Sequence, residues 1–142
     1  MFNPSRAQVR QFFCHTWRKH QHQQIISPQE SIALRWMLEH PEYVNTWDDP
    51  EAELKDYTPE AGHTNPFLHL SMHLAIEEQL SIDQPPGIRA LYQQLKQHTD
   101  TPHSAAHLVM DCLGEVLWQA QRNGTAPDNE SYLDCLRRQI KA

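Results

Sequence analysis

The chain has 142 residues, a length typical of one domain, and 39% of them are hydrophobic, which excludes a disordered chain. Its 18 acidic and 12 basic residues give a formal net charge of -6, which argues against a nucleic-acid binder with a basic surface. No stretch approaches the roughly 20 apolar residues that a membrane span needs, and the N-terminus has no apolar signal core. We therefore expect a single domain over residues 1–142, located in the cytoplasm, with neither nucleic acid nor membrane as its partner.

Proline and polar caps divide the first half of the chain into helix-length segments. A first helix is predicted to begin at residues 3–5, where Asn-Pro or Ser can cap it. Ser27 to Glu30 form a capping box with proline at the first helical position, and the helix that follows ends at His40-Pro41. Residues 41–47 add a short helical turn.

An acidic connection follows at residues 48–65. It carries one basic residue and six acidic ones: Asp48, Asp49, Glu51, Glu53, Asp56 and Glu60. Loops of this length are often functional or mobile. The segment is interpreted either as a solvated loop or as a surface that docks a basic protein partner.

The second half of the chain repeats the same helix signals. Asn65-Pro66 and Thr101-Pro102 each place a cap before proline, and Pro85-Pro86-Gly87 separates two helices between them. Asn123-Gly124 ends the longest helix, and Asp128 or Asn129 begins the last one. About six short helices joined by Pro/Gly turns predict a compact all-α bundle.

The three cysteines (Cys14, Cys112 and Cys135) are widely spaced and odd in number, without a C-x-x-C motif. This pattern argues against a disulfide framework and against a structural zinc knuckle. We expect reduced thiols on helix faces.

Two predicted helices carry histidines four residues apart, a spacing that puts both imidazoles on one helix face. On the helix that begins at Asn65, His69 and His73 lie in the middle of the apolar face, with Glu77 one step further. On the helix that begins at Thr101, His103 and His107 continue into Asp111 and Glu115. These rows predict imidazoles and carboxylates projecting between two facing helices.

Facing helices of a bundle can build a metal site from side chains alone. The predicted ligands are His69, His73 and His107, with Glu77 or Glu115 completing the shell. Such nitrogen and oxygen donors suit Zn, Fe, Mn or Ni, and an open coordination position would allow metal-activated water chemistry or metal-held thiol transfer. Whether the protein is an enzyme stays open at this point.

Other interpretations of these histidines compete with the metal site. They could be structural, satisfied by Glu77, Glu115 or backbone groups, in a non-enzymatic interaction module or homo-oligomer whose acidic loop docks a basic partner. They could also sense pH, since imidazole titrates near neutrality. The remaining histidines are predicted to lie on the surface: His15, His20, His22, His40, His63 and His98.

Nearly the whole chain resembles a known family. The segments NPFLHLSMHLAIEEQ and QPPGI, with the opening MFNPSRAQVRQFF and the stretch CLGEVLWQAQRNGTAPDNESYL, resemble the proteobacterial family called domain of unknown function 1841. The resemblance implies a small bacterial cytoplasmic protein, and no catalytic residues can be carried over from it. The three predicted histidine ligands (His69, His73 and His107) are also similar in chemistry to those of DinB-type helical bundles, an analogy that implies metal binding.

Overall fold

The computed structural model describes residues 6–54 and 65–141. These residues form seven α-helices and two short 3-10 helices and contain no strand, which confirms the all-α fold. The α-helices are α1 (Arg6–Gln21), α2 (Pro28–Leu38), α3 (Val44–Asp48), α4 (Pro66–Ile82), α5 (Ile88–Gln97), α6 (Pro102–Asn123) and α7 (Asn129–Lys141). The 3-10 helices are Pro41–Tyr43 and Ala52–Leu54. Among the described helices, none combines the length and the apolar character needed to cross a membrane.

Local hydrogen bonds at the helix starts explain why the sequence pattern located them. The Ser27 hydroxyl accepts from the Glu30 backbone N–H at 3.1 Å, and the Glu30 carboxylate accepts from the Ser27 backbone N–H at 2.9 Å. The Asn65 side-chain oxygen accepts from the backbone N–H of Leu68 at 3.1 Å. Each cap satisfies donors that the first helical turn leaves without intrahelical partners. The cap predicted at residues 3–5 lies outside the described residues.

The longest helix, α6, is bounded at both ends as predicted. The Thr101 hydroxyl accepts from the Ser104 backbone N–H at 3.0 Å. At the other end, Gly124 adopts the left-handed conformation with φ of 64°, which glycine enters without steric penalty. These two signals confirm that α6 runs from Pro102 to Asn123.

Residue contacts divide the chain into two units, Met1–Leu74 and Ala75–Ala142, so the boundary falls within α4. We call them unit 1 and unit 2 and describe each by itself. The expectation of a single domain over 1–142 stays a prediction.

Unit 1 has an aromatic core. The ring of Phe13 on α1 lies 6.1 Å from Trp47 on α3, and Trp47 lies 5.3 Å from Phe67 on α4, measured between ring centroids. All three side chains are buried. Because each aromatic ring removes a large apolar area from water, this cluster holds α1, α3 and the start of α4 together.

The acidic segment begins on this core and is bound to α1. The Asp48 carboxylate accepts hydrogen bonds from Trp17 Nε1 and Gln21 Nε2, both at 2.8 Å. The Arg10 guanidinium donates to the main-chain oxygen of Glu53 at 2.8 Å. Residues 48–54 are therefore fixed against α1. The rest of the predicted connection, from 55 to 64, lies outside the described residues.

Unit 2 has an aliphatic core. Its largest fully buried aliphatic side chains come from three helices: Ile88 and Leu95 on α5, Val109 on α6 and Leu136 on α7. Apolar positions three or four residues apart on each helix produce this packing.

The structure corrects the expectation of three reduced thiols. Cys112 on α6 and Cys135 on α7 form a disulfide, with their Cα atoms 5.7 Å apart. Cys14 is a buried free thiol, as expected. The expectation was wrong for the pair because a separation of 23 residues carries no local signature, whereas the packing of α6 on α7 brings the two Cα atoms within disulfide reach.

Candidate metal centre

Three imidazoles come together in unit 1. His40 follows the end of α2, and His69 and His73 lie one turn apart on α4. The ring centroids are 4.8 Å apart for His40 and His69, 4.9 Å for His40 and His73, and 5.0 Å for His69 and His73. His40 is 1% exposed and His73 is 0% exposed, while His69 is half-buried. We call this group the unit 1 histidine cluster.

The orientation of His40 is set by its own helix. Its Nδ1 atom lies 2.7 Å from the main-chain oxygen of Trp36, one turn earlier. Because a carbonyl oxygen only accepts, Nδ1 carries the hydrogen, and Nε2 of the neutral ring therefore carries a lone pair. Metal-binding histidines are commonly oriented by the same kind of bond from the ring nitrogen that does not bind the ion.

The Nε2 atom of His40 faces the Nε2 atom of His69 at 3.1 Å. At this distance the neutral rings share a hydrogen bond, with His69 as donor, or both lone pairs bind one cation. Two nitrogens about 2.0–2.1 Å from a tetrahedral zinc ion would lie about 3.3 Å apart. His40 and His73 also offer ring nitrogens within 4.8 Å of each other. The arrangement is therefore close to a metal-binding geometry before any ion enters.

Aromatic rings cover the cluster. The indole of Trp36 stacks on His73, with ring centroids 3.9 Å apart and planes inclined by 12°. The ring of Tyr43 stacks on His40 at 5.5 Å with planes inclined by 5°. Burial raises the pKa of the Tyr43 hydroxyl, and the carboxylate of Glu42 adds to this effect. These rings limit the access of water to the imidazoles.

Unit 2 also contains a pair of histidines. His103 and His107 lie one turn apart on α6 with their Nε2 atoms 3.0 Å apart, and both side chains are half-buried. This pair has the same i, i+4 geometry as His69 and His73.

The two predicted carboxylates differ in their placement. Glu77 is half-buried one turn after His73 on α4, about 6 Å along the helix axis. Glu115 is exposed on α6, eight residues after His107, which is about 12 Å along the axis. One Glu115 carboxylate oxygen instead lies 3.9 Å from the sulfur of Cys135. Helix geometry thus leaves Glu77 near the predicted histidines and separates Glu115 from His107.

Residues 5–138 match the family model described as Domain of unknown function (DUF1841). The chain belongs to this family. No curated protein and no solved structure matches the chain significantly. The match confirms the resemblance noted in the sequence, and the DUF1841 description names no activity, so the chemistry must come from the chain's own residues.

In this DUF1841 chain, the prediction that His40 lies on the surface is wrong, because its side chain is buried. A His-Pro pair that ends a helix is usually exposed, but Trp36 and Tyr43 surround this ring in unit 1. The spacing of Trp36 and His40, four residues apart, was the available signal. Exposure is confirmed for the predicted surface histidines that the structure describes (His15, His20, His22 and His98), and His63 lies outside the described residues.

Proposed function

We propose that this protein binds a divalent metal ion through the unit 1 histidine cluster. The observation that carries the proposal is the Nε2–Nε2 distance of 3.1 Å between His40 and His69, with His40 oriented by a hydrogen bond from its other ring nitrogen. His73 supplies a third imidazole, fully buried, on the same face of α4 as His69. Imidazole ligands suit Zn, Fe and Ni, whereas Mn prefers oxygen donors and so depends more on Glu77.

Three imidazoles leave room in a tetrahedral shell for a fourth ligand. Glu77, at the next step along α4, is the candidate from the sequence prediction. If water takes that position instead, the ion would lower the pKa of the water, as in metal-dependent hydrolysis. The proposal is therefore one of metal binding. Enzymatic activity would depend on whether Glu77 or water is the fourth ligand of the ion.

The metal content of untagged protein tests this directly. We expect close to one equivalent of metal per chain by mass spectrometry after gentle purification. We also expect a rise in unfolding temperature when zinc is added to chelator-treated protein, because an ion that binds only the folded state stabilises it. Retention of less than about 0.2 equivalents, together with no thermal shift for any of Zn, Fe, Mn and Ni, would contradict the proposal.

Histidine-to-alanine variants identify the side chains that bind the ion. His40→Ala and His69→Ala are expected to lose the metal, whereas His15→Ala, on the exposed face of α1, serves as the matched control and should keep it. The double variant His103→Ala with His107→Ala tests the earlier prediction that His107 joins His69 and His73. Full metal content in that double variant favours a site within unit 1, and loss of metal favours the earlier ligand set.

The cytoplasmic location expected from the sequence is also part of this proposal. Disulfides are rare in the cytoplasm because small thiols keep cysteines reduced, so a Cys112–Cys135 bond that stays intact in cells would argue against this location. Fractionation of cells that produce the untagged protein, followed by immunodetection, would test the location.

A further inference from the structure

The three cysteines differ sharply in their surroundings. Cys14 on α1 is a buried thiol whose pKa burial raises to about 11, with the Glu53 carboxylate adding to the effect. Cys112 is 0% exposed within α6. Cys135, its disulfide partner on α7, is 6% exposed and lines an open cleft. Of the two sulfurs of the disulfide, Cys135 is therefore the one that a molecule in solution can approach through the cleft.

The cleft at Cys135 lies between α6 and α7 within unit 2 and has a volume of about 190 Å³. Its other lining side chains are mostly polar or charged: Glu115, Val116 and Gln119 from α6, and Ser131, Asp134 and Arg138 from α7. One guanidinium and two carboxylates thus line the same cleft as the sulfur, and the Glu115 carboxylate lies 3.9 Å from it. A ligand that carries both a carboxylate and an ammonium group finds an opposite charge for each.

We propose that Cys135 is the site at which a small zwitterionic thiol, one that carries a carboxylate and an ammonium group, exchanges with the Cys112–Cys135 disulfide. Arg138 would bind the carboxylate of the thiol, and Glu115 would bind its ammonium group. Neither residue belongs to the unit 1 histidine cluster.

The exchange step is balanced without any further reactant. The small thiol loses its proton to water, and its thiolate attacks the sulfur of Cys135. A new S–S bond forms between the small molecule and Cys135 as the bond between Cys112 and Cys135 breaks. The electron pair of that bond leaves on Cys112, which takes up a proton and becomes a buried thiol. The product is a mixed disulfide at Cys135.

Mapping the adduct in the wild-type protein tests the direction of attack. The oxidised full-length protein is treated with reduced glutathione, quenched with acid, alkylated, and digested for mass spectrometry. We expect glutathione on Cys135 and the alkyl group on Cys112, with Cys14 free of glutathione. Glutathione on Cys112 would overturn the proposal, and so would an intact disulfide with no adduct.

Two single variants provide a matched comparison with oxidised glutathione as the probe. Cys112→Ser leaves the sulfur that lines the cleft, and Cys135→Ser leaves the fully buried one. We expect Cys112→Ser to form its mixed disulfide at least about ten-fold faster, since access limits the reaction of a buried sulfur. Equal rates of mixed-disulfide formation would overturn the proposal, provided that both variants give the circular dichroism spectrum of the wild type. If either variant fails to fold, the wild-type mapping decides.

The charges of the cleft are tested with three thiols, two that carry charged groups and one that does not. Free cysteine and glutathione are zwitterionic, and 2-mercaptoethanol is uncharged. Arg138→Gln is expected to slow cleavage of the disulfide by cysteine and glutathione several-fold and to leave the rate with 2-mercaptoethanol unchanged. Arg122→Gln, outside the cleft, is the control. Equal slowing of all three thiols by Arg138→Gln would overturn the role of charge.

Discussion

The indole of Trp36 and the imidazole of His73 lie face to face, 3.9 Å apart between ring centroids, on α2 and α4 of unit 1. Both side chains are buried. Since fluorescence of an indole responds to a charge or an open-shell ion at contact distance, Trp36 is a built-in reporter for the unit 1 histidine cluster.

Nickel or cobalt should quench the emission of Trp36. We expect the fluorescence of metal-free protein to fall on addition of either ion, and most of this response to be absent in Trp36→Phe. His98→Ala, on the exposed end of α5, should respond like the wild type. An unchanged response in Trp36→Phe would place the ion near another tryptophan and away from His73.

The capping box of α2 makes stability depend on acid pH. The backbone N–H of Ser27 holds the pKa of the Glu30 carboxyl below its usual value, and the ammonium group of Lys19, 3.1 Å away, adds to this effect. A lowered pKa in the folded state means that the charged carboxylate stabilises the fold above pH about 4.3, and that this stabilisation is lost as pH falls through the folded value.

Glu30→Gln should therefore flatten the dependence of unfolding free energy on pH below about pH 5. Glu78→Gln, on an exposed face of α4, removes the same formal charge and serves as the control. Ser27→Ala should lower the free energy of unfolding by about 1 kcal/mol at neutral pH, because it removes the cap. Chemical denaturation followed by circular dichroism measures both effects, and identical pH profiles for the Glu30→Gln and Glu78→Gln variants would disagree with this prediction.

Reduction of the disulfide should destabilise unit 2. The bond between Cys112 and Cys135 closes a loop with a sequence separation of 23 residues, which restricts the unfolded chain and stabilises the fold by about 3 kcal/mol. Urea unfolding with and without a phosphine reductant measures the difference. The double variant Cys112→Ser with Cys135→Ser should be insensitive to the reductant, and a wild-type protein that is equally insensitive would contradict the prediction.

The hydroxyl of Tyr132 on α7 should limit stability at alkaline pH. It donates to the side-chain oxygen of Gln79 at 2.7 Å, and burial raises its pKa well above the usual value. A pKa raised in the folded state favours folding below pH about 10, and this contribution is lost as pH rises towards the folded value. Tyr132→Phe should lower the free energy of unfolding by about 1 kcal/mol at pH 7 and reduce its decline above pH 10. Tyr92→Phe, half-buried on α5, is the comparison, and a steeper alkaline decline in Tyr132→Phe would argue against this assignment.

The helix starts could be predicted because their signals are local. Ser27, Asn65 and Thr101 each bond to a backbone group three residues away, so the sequence itself brings donor and acceptor together. Helical periodicity likewise placed His73 on the apolar face of α4, and its burial confirms this.

Features that depend on tertiary contacts could not be predicted from local sequence signals. The burial of His40 requires α2 to meet α4, so nothing within the His40-Pro41 segment indicates it. The disulfide depends in the same way on α6 packing against α7. The assignment of Glu115 as a ligand stays a prediction, since it belongs to the i+4 row that begins at His103 and lies eight residues of helical rise from His107.

The bond between Cys112 and Cys135 encloses the turn at Gly124, together with the exposed residues that precede α7. A protease that cuts after the exposed Arg122 breaks the main chain between the two cysteines and still leaves one covalent molecule. The fragments therefore migrate together on a gel without reductant and separate once a thiol is added. Comparing the migration of the cut protein with and without reductant therefore shows whether the disulfide was present when the protease acted.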